Sequence, residues 1–312
     1  MKIAFIIDPP ETIKPQKDSS VALMQAGLEL GHDVFYIVQH ALYIADGMAM
    51  GTGQSVTKAD EDEVLLAEHE DKALGAFDAI FMRKDPPVDQ AFMQATYILA
   101  QGERDGARVL NAPSALQKYN EKIYATLFPD LIPKTIVSAD KGKIIEFVGS
   151  LKRAVLKPVD MMGGYGIFVS DAEDPNLDVI IEMLTNNGKT HIIVQRFLPE
   201  ILEGDRRLIM IDGEIASHAL VRYPKQGSLR GNLAAGGTYK VEPVNERDRE
   251  IATIVGARLV KDGVYFAGLD VIGGHLIEIN HTSPTGLREI SKASGDNLAK
   301  KIIEGIAKPS VL

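Results

Sequence analysis

Three stretches of this 312-residue chain combine residue types at spacings that could do chemistry. The first is Lys157-Pro158-Val159-Asp160-Met161-Met162-Gly163-Gly164-Tyr165-Gly166, preceded by the apolar run Ala154-Val155-Leu156. A strand there delivers a lysine, and a glycine-rich loop follows. Glycines let backbone N–H groups approach phosphate oxygens closely, and the lysine adds a point charge. An ordinary β-hairpin with a glycine turn has the same composition, so this motif alone leaves both readings open. The second stretch is Asp270 with Glu278-Ile279-Asn280. Residues 278 and 280 lie two apart on one strand and share a face, and the Gly273-Gly274 turn returns Asp270 alongside Glu278. Two carboxylates and an amide oxygen form a hard-oxygen cluster suited to Mg²⁺ bridging phosphates. Polar residues alternating on a solvated sheet face would look the same. The third is Arg230-Gly231-Asn232-Leu233-Ala234-Ala235-Gly236-Gly237, too apolar for a solvent linker and too glycine-rich for a helix. Within 224–239 it fits a lid that carries one arginine over a substrate, or else a surface loop.

Other chemistries are excluded. The chain has no Cys, which removes thiolate nucleophiles, disulfide scaffolds, iron–sulfur clusters and Cys-based zinc sites. It contains no Gly-x-x-x-x-Gly-Lys-Ser/Thr loop, no Gly-x-Gly-x-x-Gly, no His-Glu-x-x-His and no Gly-x-Ser-x-Gly. The seven histidines (32, 40, 69, 191, 218, 275 and 281) are scattered without ligand spacing. With 45% apolar and 25% charged residues the composition is that of a soluble globular protein. The net charge of −9, from 34 Lys+Arg against 43 Asp+Glu, argues against a nucleic-acid binder and requires a local basic pocket for any anionic ligand. No apolar run approaches the roughly 18–20 residues that cross a bilayer. The apolar stretch at the N-terminus is too short for a signal peptide, so a cytoplasmic protein with no membrane partner is expected.

The elements that must position these residues begin with a strand over 2–7 and a helix capped by Asp18, with Val21, Met24 and Leu28 on one face and Gly31 at its end. A strand over 33–38 completes a βαβ unit, which implies a parallel sheet. A strand over 78–82 and a helix over 88–102 extend it. The Asp- and Glu-rich stretch 60–71 reads as the solvated face of a helix. After about residue 120 short strands dominate, expected at 153–157, 167–169, 191–195, 206–212, 214–222, 264–272 and 275–280. Asp212-Gly213 and Gly273-Gly274 are hairpin turns. Helices over 175–186, 246–261 and 296–307 should cover these sheets; Ile251, Ile254, Val255 and Leu259 form one apolar stripe. The fold class is α/β and α+β, a doubly wound N-terminal domain followed by a region of antiparallel sheets.

In this order the motifs resemble the ATP-grasp superfamily, and more closely the bacterial glutathione synthetases. The resemblance runs over essentially the whole chain. It is carried by Lys-Asp-Ser-Ser (17–20), Met-Arg-Lys-Asp-Pro-Pro (82–87), Ala-Thr-Tyr-Ile-Leu (95–99), Asn-Glu-Lys (120–122), Arg-Gly-Asn-Leu-Ala-Ala-Gly-Gly (230–237) and Glu-Ile-Asn-His-Thr-Ser-Pro-Thr (278–285). It implies a substrate domain over 1–121 and a two-lobed ATP-grasp region over 122–200 and 201–312. ATP would lie between the lobes, with Lys122 and Lys157 on its phosphates, Gly163 and Gly164 covering them, Gln195-Arg196-Phe197-Leu198 as a hinge reading adenine, and Asp205 near the ribose. Asp270, Glu278 and Asn280 would hold two Mg²⁺ (or Mn²⁺) ions. Arg207 and Arg230 would be the catalytic cations, and Arg83, Arg222, Ser283 and Thr285 would surround the substrates γ-glutamylcysteine and glycine. Two positions depart from the family pattern: Met161 follows Asp160 where Gly is common, and His281 stands where Val is usual. The implied reaction is ATP-dependent ligation to glutathione through an acyl phosphate, by a homo-oligomer, with a tetramer suggested by the resemblance alone. An ATP-grasp ligase for another carboxylate and amine, or a silent nucleotide-binding protein, are the alternatives.

Overall fold

The computed structural model describes residues 1–225 and 236–307. Seven strands, β1 (Lys2–Ile7), β2 (Asp33–Val38), β3 (Leu42–Ala45), β4 (Met48–Ala59), β5 (Val64–Ala73), β6 (Ala79–Met82) and β7 (Arg108–Leu110), form the first sheet. β2, β1, β6 and β7 are parallel neighbours, joined through helices α1 (Ser19–Glu29) and α2 (Gln90–Arg104). Asp18 caps α1 as its side chain accepts from the Ser20 and Val21 amides at 2.6 and 3.0 Å. β1 is apolar on both faces because both are covered. Ile3, Phe5 and Ile7 pack with Val21 and Met24 of α1, while Ala4 and Ile6 pack with Phe92 and Leu99 of α2. This is the doubly wound half.

The acidic stretch 60–71 is not helical. Its residues from Val64 onward are strand β5, paired antiparallel to β4, with Thr52 opposite Asp71 and Gly53 opposite Glu70. An Asx turn closes the ribbon: the Asp60 carboxylate accepts from the Asp62 and Glu63 amides at 2.8 and 2.9 Å. Lys58 lies 2.8 Å from Glu63 and Lys72 lies 2.8 Å from Glu70. Solvated polar faces serve a two-stranded ribbon as well as a helix, and cross-strand pairing decided the outcome.

Two short helices, α3 (Pro113–Lys118) and α4 (Glu121–Tyr124), lead into a four-stranded antiparallel sheet of β8 (Thr135–Ser138), β9 (Ala154–Pro158), β10 (Phe168–Ser170) and β11 (Ile192–Arg196). Helices α5 (Lys141–Gly149) and α6 (Leu177–Leu184) cover one face, where Ile144, Val148 and Ile181 meet Ala154, Leu156, Ile192 and Val194. Period-2 alternation therefore turns Val155 and Lys157 to the opposite face. The third sheet, also antiparallel, contains β12 (Asp205–Ile211), β13 (Glu214–Tyr223), β14 (Thr238–Pro243), β15 (Phe266–Ile272) and β16 (His275–Asn280). Leu208, Met210, Leu269 and Val271 pack on α7 (Glu246–Lys261) through Ile251, Val255 and Leu259. Ile254 is exposed and lies outside that stripe. Of the segment 224–239 expected to form a lid, residues 226–235 lie outside the described residues, and Thr238 and Tyr239 belong to β14.

Helix α8 (Leu287–Ser294) has no counterpart among the expected elements, and α9 (Leu298–Ile306) departs from expectation in its packing. α9 does not simply cover the third sheet. Ile302, Ile303 and Ile306 share one apolar cluster with Val21 and Met24 of α1 and with Ile209 and Phe266 of the third sheet. The Arg108 guanidinium donates to the Ile306 carbonyl at 2.9 Å, and the Tyr265 hydroxyl donates to Ile302 at 2.7 Å. The C-terminal helices thus wedge the first and third sheets together.

One close approach fixes α7 on the third sheet. Gly256 sits in mid-helix against the Asp212-Gly213 turn, whose residues take φ of 50° and 80°. A Cβ at 256 would collide with the Gly213 carbonyl oxygen and lie 3.1 Å from Met210 Cε. Alanine in a helix interior normally gains about 1 kcal/mol over glycine. Here Gly256→Ala should instead destabilise the protein, by roughly 1–3 kcal/mol of overpacking, read as a lower urea midpoint. An unchanged or raised midpoint would show that helix and turn can separate freely.

Candidate active site

A cavity of about 770 Å³ opens between the second and third sheets. It is lined by Val155 and Lys157 of β9, by the loop through Gly163 and Gly164, and by the chain turning out of β11 at Gln195, Arg196, Phe197 and Leu198. Its other wall holds Asp205, Arg207, Arg222, Asp270, Glu278 and Asn280. Gly163, Gly164 and Gly166 all have φ between 66° and 78°, which L side chains rarely adopt, so the loop between β9 and β10 needs its glycines. Met161 is not in that region, so the loop does not require glycine there.

The wall is a lattice of cross-strand pairs. Asp205 lies opposite Arg222, and Arg207 lies opposite Asp270. Arg207 holds Asp270 with two bonds, Nε to Oδ1 at 2.5 Å and Nη2 to Oδ2 at 2.9 Å. Arg222 Nη2 bridges Asp205 at 2.5 Å and Asp270 at 2.9 Å. All four are buried. Burial works to raise the Asp270 carboxyl, but Arg207 and Arg222 outweigh it and hold it well below the usual range. Asp205 is pushed up, first by burial and then by repulsion from Asp270, against the pull of Arg222. Gly268 makes room for this: a Cβ there would lie 2.7 Å from Arg207 Cδ.

Glu278 stands opposite Asp270, and Asn280 donates to Asp270 Oδ2 at 3.2 Å. The alignment depends on a bulge. Below it, Val271 faces Leu276 and Ile272 faces His275; above it, Asp270 faces Glu278 rather than Ile277. Without the extra residue Glu278 would turn to the α7 side. Lys122 Nζ donates to the Met161 carbonyl at 2.6 Å and lies 3.3 Å from Glu278 Oε1. Among the described residues no three His, Cys, Asp or Glu side chains cluster as a self-sufficient metal site. Asp270, Glu278 and Asn280 do gather oxygen donors beside the cations, which suits a hard cation whose remaining ligands come from phosphate.

Ser283 and Thr285 line the cavity in the chain that follows β16, and Arg207 Nη1 reaches the Thr285 carbonyl at 3.4 Å. Arg83 is placed differently. It is buried outside the lining, stacked 5.2 Å over Phe266, with Nε donating to Ser20 Oγ at 3.0 Å and Nη2 to the Pro284 carbonyl at 2.9 Å. Arg230 lies outside the described residues. Residues beyond the expected set also reach the cavity: Asp85, Glu121, Arg153, Ile167 and Ile277 among them. Asp85 and Glu121 sit inside Arg-Lys-Asp-Pro-Pro and Asn-Glu-Lys, motifs already conspicuous in the sequence. The apolar isoleucines carried no such signal.

Lys157 is fully buried, and desolvation, with Lys122 adding to it and Glu278 opposing, lowers its ammonium to about 8. Its folded pKa is below its unfolded value near 10.4, so the unfolded chain binds more protons between them and stability rises with pH across that window. Lys157→Met removes this term while keeping the stem. Its stability advantage over the parent, measured by urea unfolding, should narrow by roughly 2 kcal/mol between pH 7.5 and pH 10. A constant difference would mean that Lys157 titrates as a solvated amine.

Comparison with known proteins finds matches over nearly the whole chain. Residues 1–117 match the family model described as prokaryotic glutathione synthetase, N-terminal domain, and residues 121–295 match prokaryotic glutathione synthetase, ATP-grasp domain. A glutathione synthetase of Nitrosomonas europaea is 45% identical over 311 residues, covering 98% of this chain and 97% of that one. The one of Pseudomonas aeruginosa is 44% identical over 309 residues, with 98% of each covered. Among solved structures, D-cycloserine synthetase DcsG superposes with a TM-score of 0.70 at 14% identity, covering 98% of this chain and 99% of that one, which speaks for the fold alone. With its two halves matched in order and relatives above 40% identity over nearly full length, the chain belongs to the prokaryotic glutathione synthetase family.

Proposed function

We propose that this protein joins γ-glutamylcysteine to glycine at the expense of ATP, releasing glutathione, ADP and phosphate. Family membership and the full-length relatives named glutathione synthetase support the reading. The observation that carries it is the cavity wall, where Lys122, Lys157, Arg207 and Arg222 converge beside Asp270, Glu278 and Asn280. The apolar slot near Val155, Phe197 and Leu198 takes adenine. The Arg196 and Phe197 amides already donate to the Lys134 and Arg153 carbonyls at 2.9 and 3.0 Å, so of these three amides that of Leu198 is left to read the base.

Lys122 and Lys157 hold the phosphates, and their charges offset the repulsion a carboxylate meets as it nears a polyanion. Asp270, Glu278 and Asn280 are the residues that would hold two divalent cations. Cations held there would supply charge neutralisation at the transferred phosphoryl group. Arg207 is locked by Asp270 and cannot swing, so its guanidinium presents a fixed cation to the acyl phosphate. Arg222 and the Ser283–Thr285 segment bind the dipeptide, and the glycine amine displaces phosphate from the activated carboxyl. No covalent enzyme intermediate is needed, in keeping with a chain that has no Cys.

The test is ADP release with Mg²⁺ and a panel of carboxylates and amines. Turnover should require both γ-glutamylcysteine and glycine, with glutathione identified by mass; a different pair, or none, would refute the assignment. In the same assay Glu278→Gln, which keeps shape and removes charge, should lower kcat by about 100-fold or more, as loss of a metal-holding carboxylate does. Asn280→Ala, losing a neutral oxygen, should cost less. Parental rates for Glu278→Gln would remove the metal role.

A further inference from the structure

We infer that Glu121 is a positioning residue of this site, whose carboxylate holds the segment after β16 in register with Lys122 and so couples the phosphate-facing and acceptor-facing sides of the cavity. What that segment binds rests on the ligase reading above; that Glu121 holds it rests on geometry alone. A single oxygen, Glu121 Oε1, accepts from the His281 amide at 2.8 Å, the Thr282 amide at 2.9 Å and the Thr282 hydroxyl at 2.8 Å. Between Asn280, where β16 ends, and Leu287, where α8 begins, the chain has no regular structure. Its buried donors have no ladder to join, and the carboxylate replaces one. His281 and Thr282 are both buried, so losing the acceptor would strand their amides and the hydroxyl without water.

The neighbours of Glu121 make this a clamp. Asn120 Oδ1 accepts from the Lys122 and Ile123 amides at 3.0 and 3.1 Å, capping α4, while its Nδ2 donates to the Val159 carbonyl at 2.9 Å. Lys122 reaches Met161 and Glu278. Three consecutive side chains thus tie the glycine loop, the segment carrying Ser283 and Thr285, and β16 to one turn of helix. That turn is itself anchored: the Tyr124 ring stacks on Tyr119 at 4.0 Å, and its hydroxyl donates to Asp262 at 2.7 Å. The segment is gripped from the other side too, for Asn111 Nδ2 donates to the His281 carbonyl at 2.6 Å and Arg83 to that of Pro284. Glu121 also lines the cavity, so a direct role as base or ligand is the competing account.

The two accounts separate on Glu121→Gln, which keeps an acceptor oxygen and removes the charge, and Glu121→Ala, which removes both. Hydrogen exchange of the 281–286 segment is read without substrate, and steady-state kinetics with γ-glutamylcysteine, glycine and ATP. For a clamp, Glu121→Ala should speed exchange at His281 and Thr282 and lower kcat/KM for the dipeptide by about tenfold or more, with KM for ATP within about twofold of the parent. Glu121→Gln should keep exchange and kinetics within about threefold of the parent. A Gln variant as impaired as the Ala variant would overturn the inference in favour of a charge or proton-transfer role. So would parental exchange in Glu121→Ala, or a KM for ATP that rises in step. Should Glu121→Ala fail to fold, Glu121→Gln and Thr282→Val decide: the clamp requires faster exchange in the latter and not in the former. A parent that makes no glutathione would sink the ligase reading, while exchange still decides the clamp.

Discussion

The buried lattice of Asp205, Arg222, Asp270 and Arg207 is the constraint on which the site depends. Removing four charges from water is costly, and a buried ion pair commonly adds little net stability. Its consequence is geometric. Asp270 is held by both arginines, while Asp205 has Arg222 alone, so Arg222 cannot leave without stranding a carboxylate, a loss of about 3–5 kcal/mol when one partner of such a pair is removed. Rigid cations are what charge stabilisation needs, since a group that must reorient during reaction gives back much of what it contributes.

The lattice also sets the local charge. Two arginines balance two aspartates, and Lys122 and Lys157 stand beside Glu278; with Arg153, Arg196, Asp85, Glu121 and Glu289 the lining is neutral, on a protein whose net charge is −9. The acidic surplus is carried partly by the β4–β5 ribbon, outside the cavity lining. Lys157 shows what burying a cation beside Lys122 costs, being driven toward its neutral form by desolvation and by that neighbour against the pull of Glu278. Polyanion binding would relieve that stress, so electrostatic strain in the free protein and affinity for phosphate are two aspects of one arrangement.

Much of this was legible in the chain, and for identifiable reasons. Glycine φ requirements, hairpin dipeptides and apolar alternation are local, so the glycine loop, the Asp212-Gly213 and Gly273-Gly274 turns and the strands around them stand close to their expected places. The pairing of Asp270 with Glu278 was anticipated, but for an incomplete reason. Turn length alone sets Asp270 against Ile277, and only the bulge restores Glu278 to the cavity face. Nothing in the residue types announces that bulge. The acidic ribbon was misread because a solvated polar run does not distinguish helix from strand. The return of α9 to α1 was invisible because amphipathicity reports an apolar face and not its partner.

The two departures from the family pattern find their explanation in which atoms are used. Lys122 contacts Met161 through the backbone carbonyl, which any residue supplies, and the Met161 side chain is 45% exposed. His281 is fully buried, its amide held by Glu121 and its carbonyl by Asn111, with its ring set edge-on to Tyr124 at 5.7 Å. At both positions the main chain does the positioning; the His281 ring adds a contact of Nδ1 with the Ile279 carbonyl at 3.3 Å. The same holds across the interface with the first sheet, where Arg83 and Asn111 reach carbonyls of Pro284 and His281 rather than side chains. The backbone is anchored from the N-terminal domain on one side and from α4 on the other, and of its side chains the Thr282 hydroxyl joins that anchoring. Ser283 and Thr285 can therefore be presented to the cavity by a segment that has no secondary structure of its own.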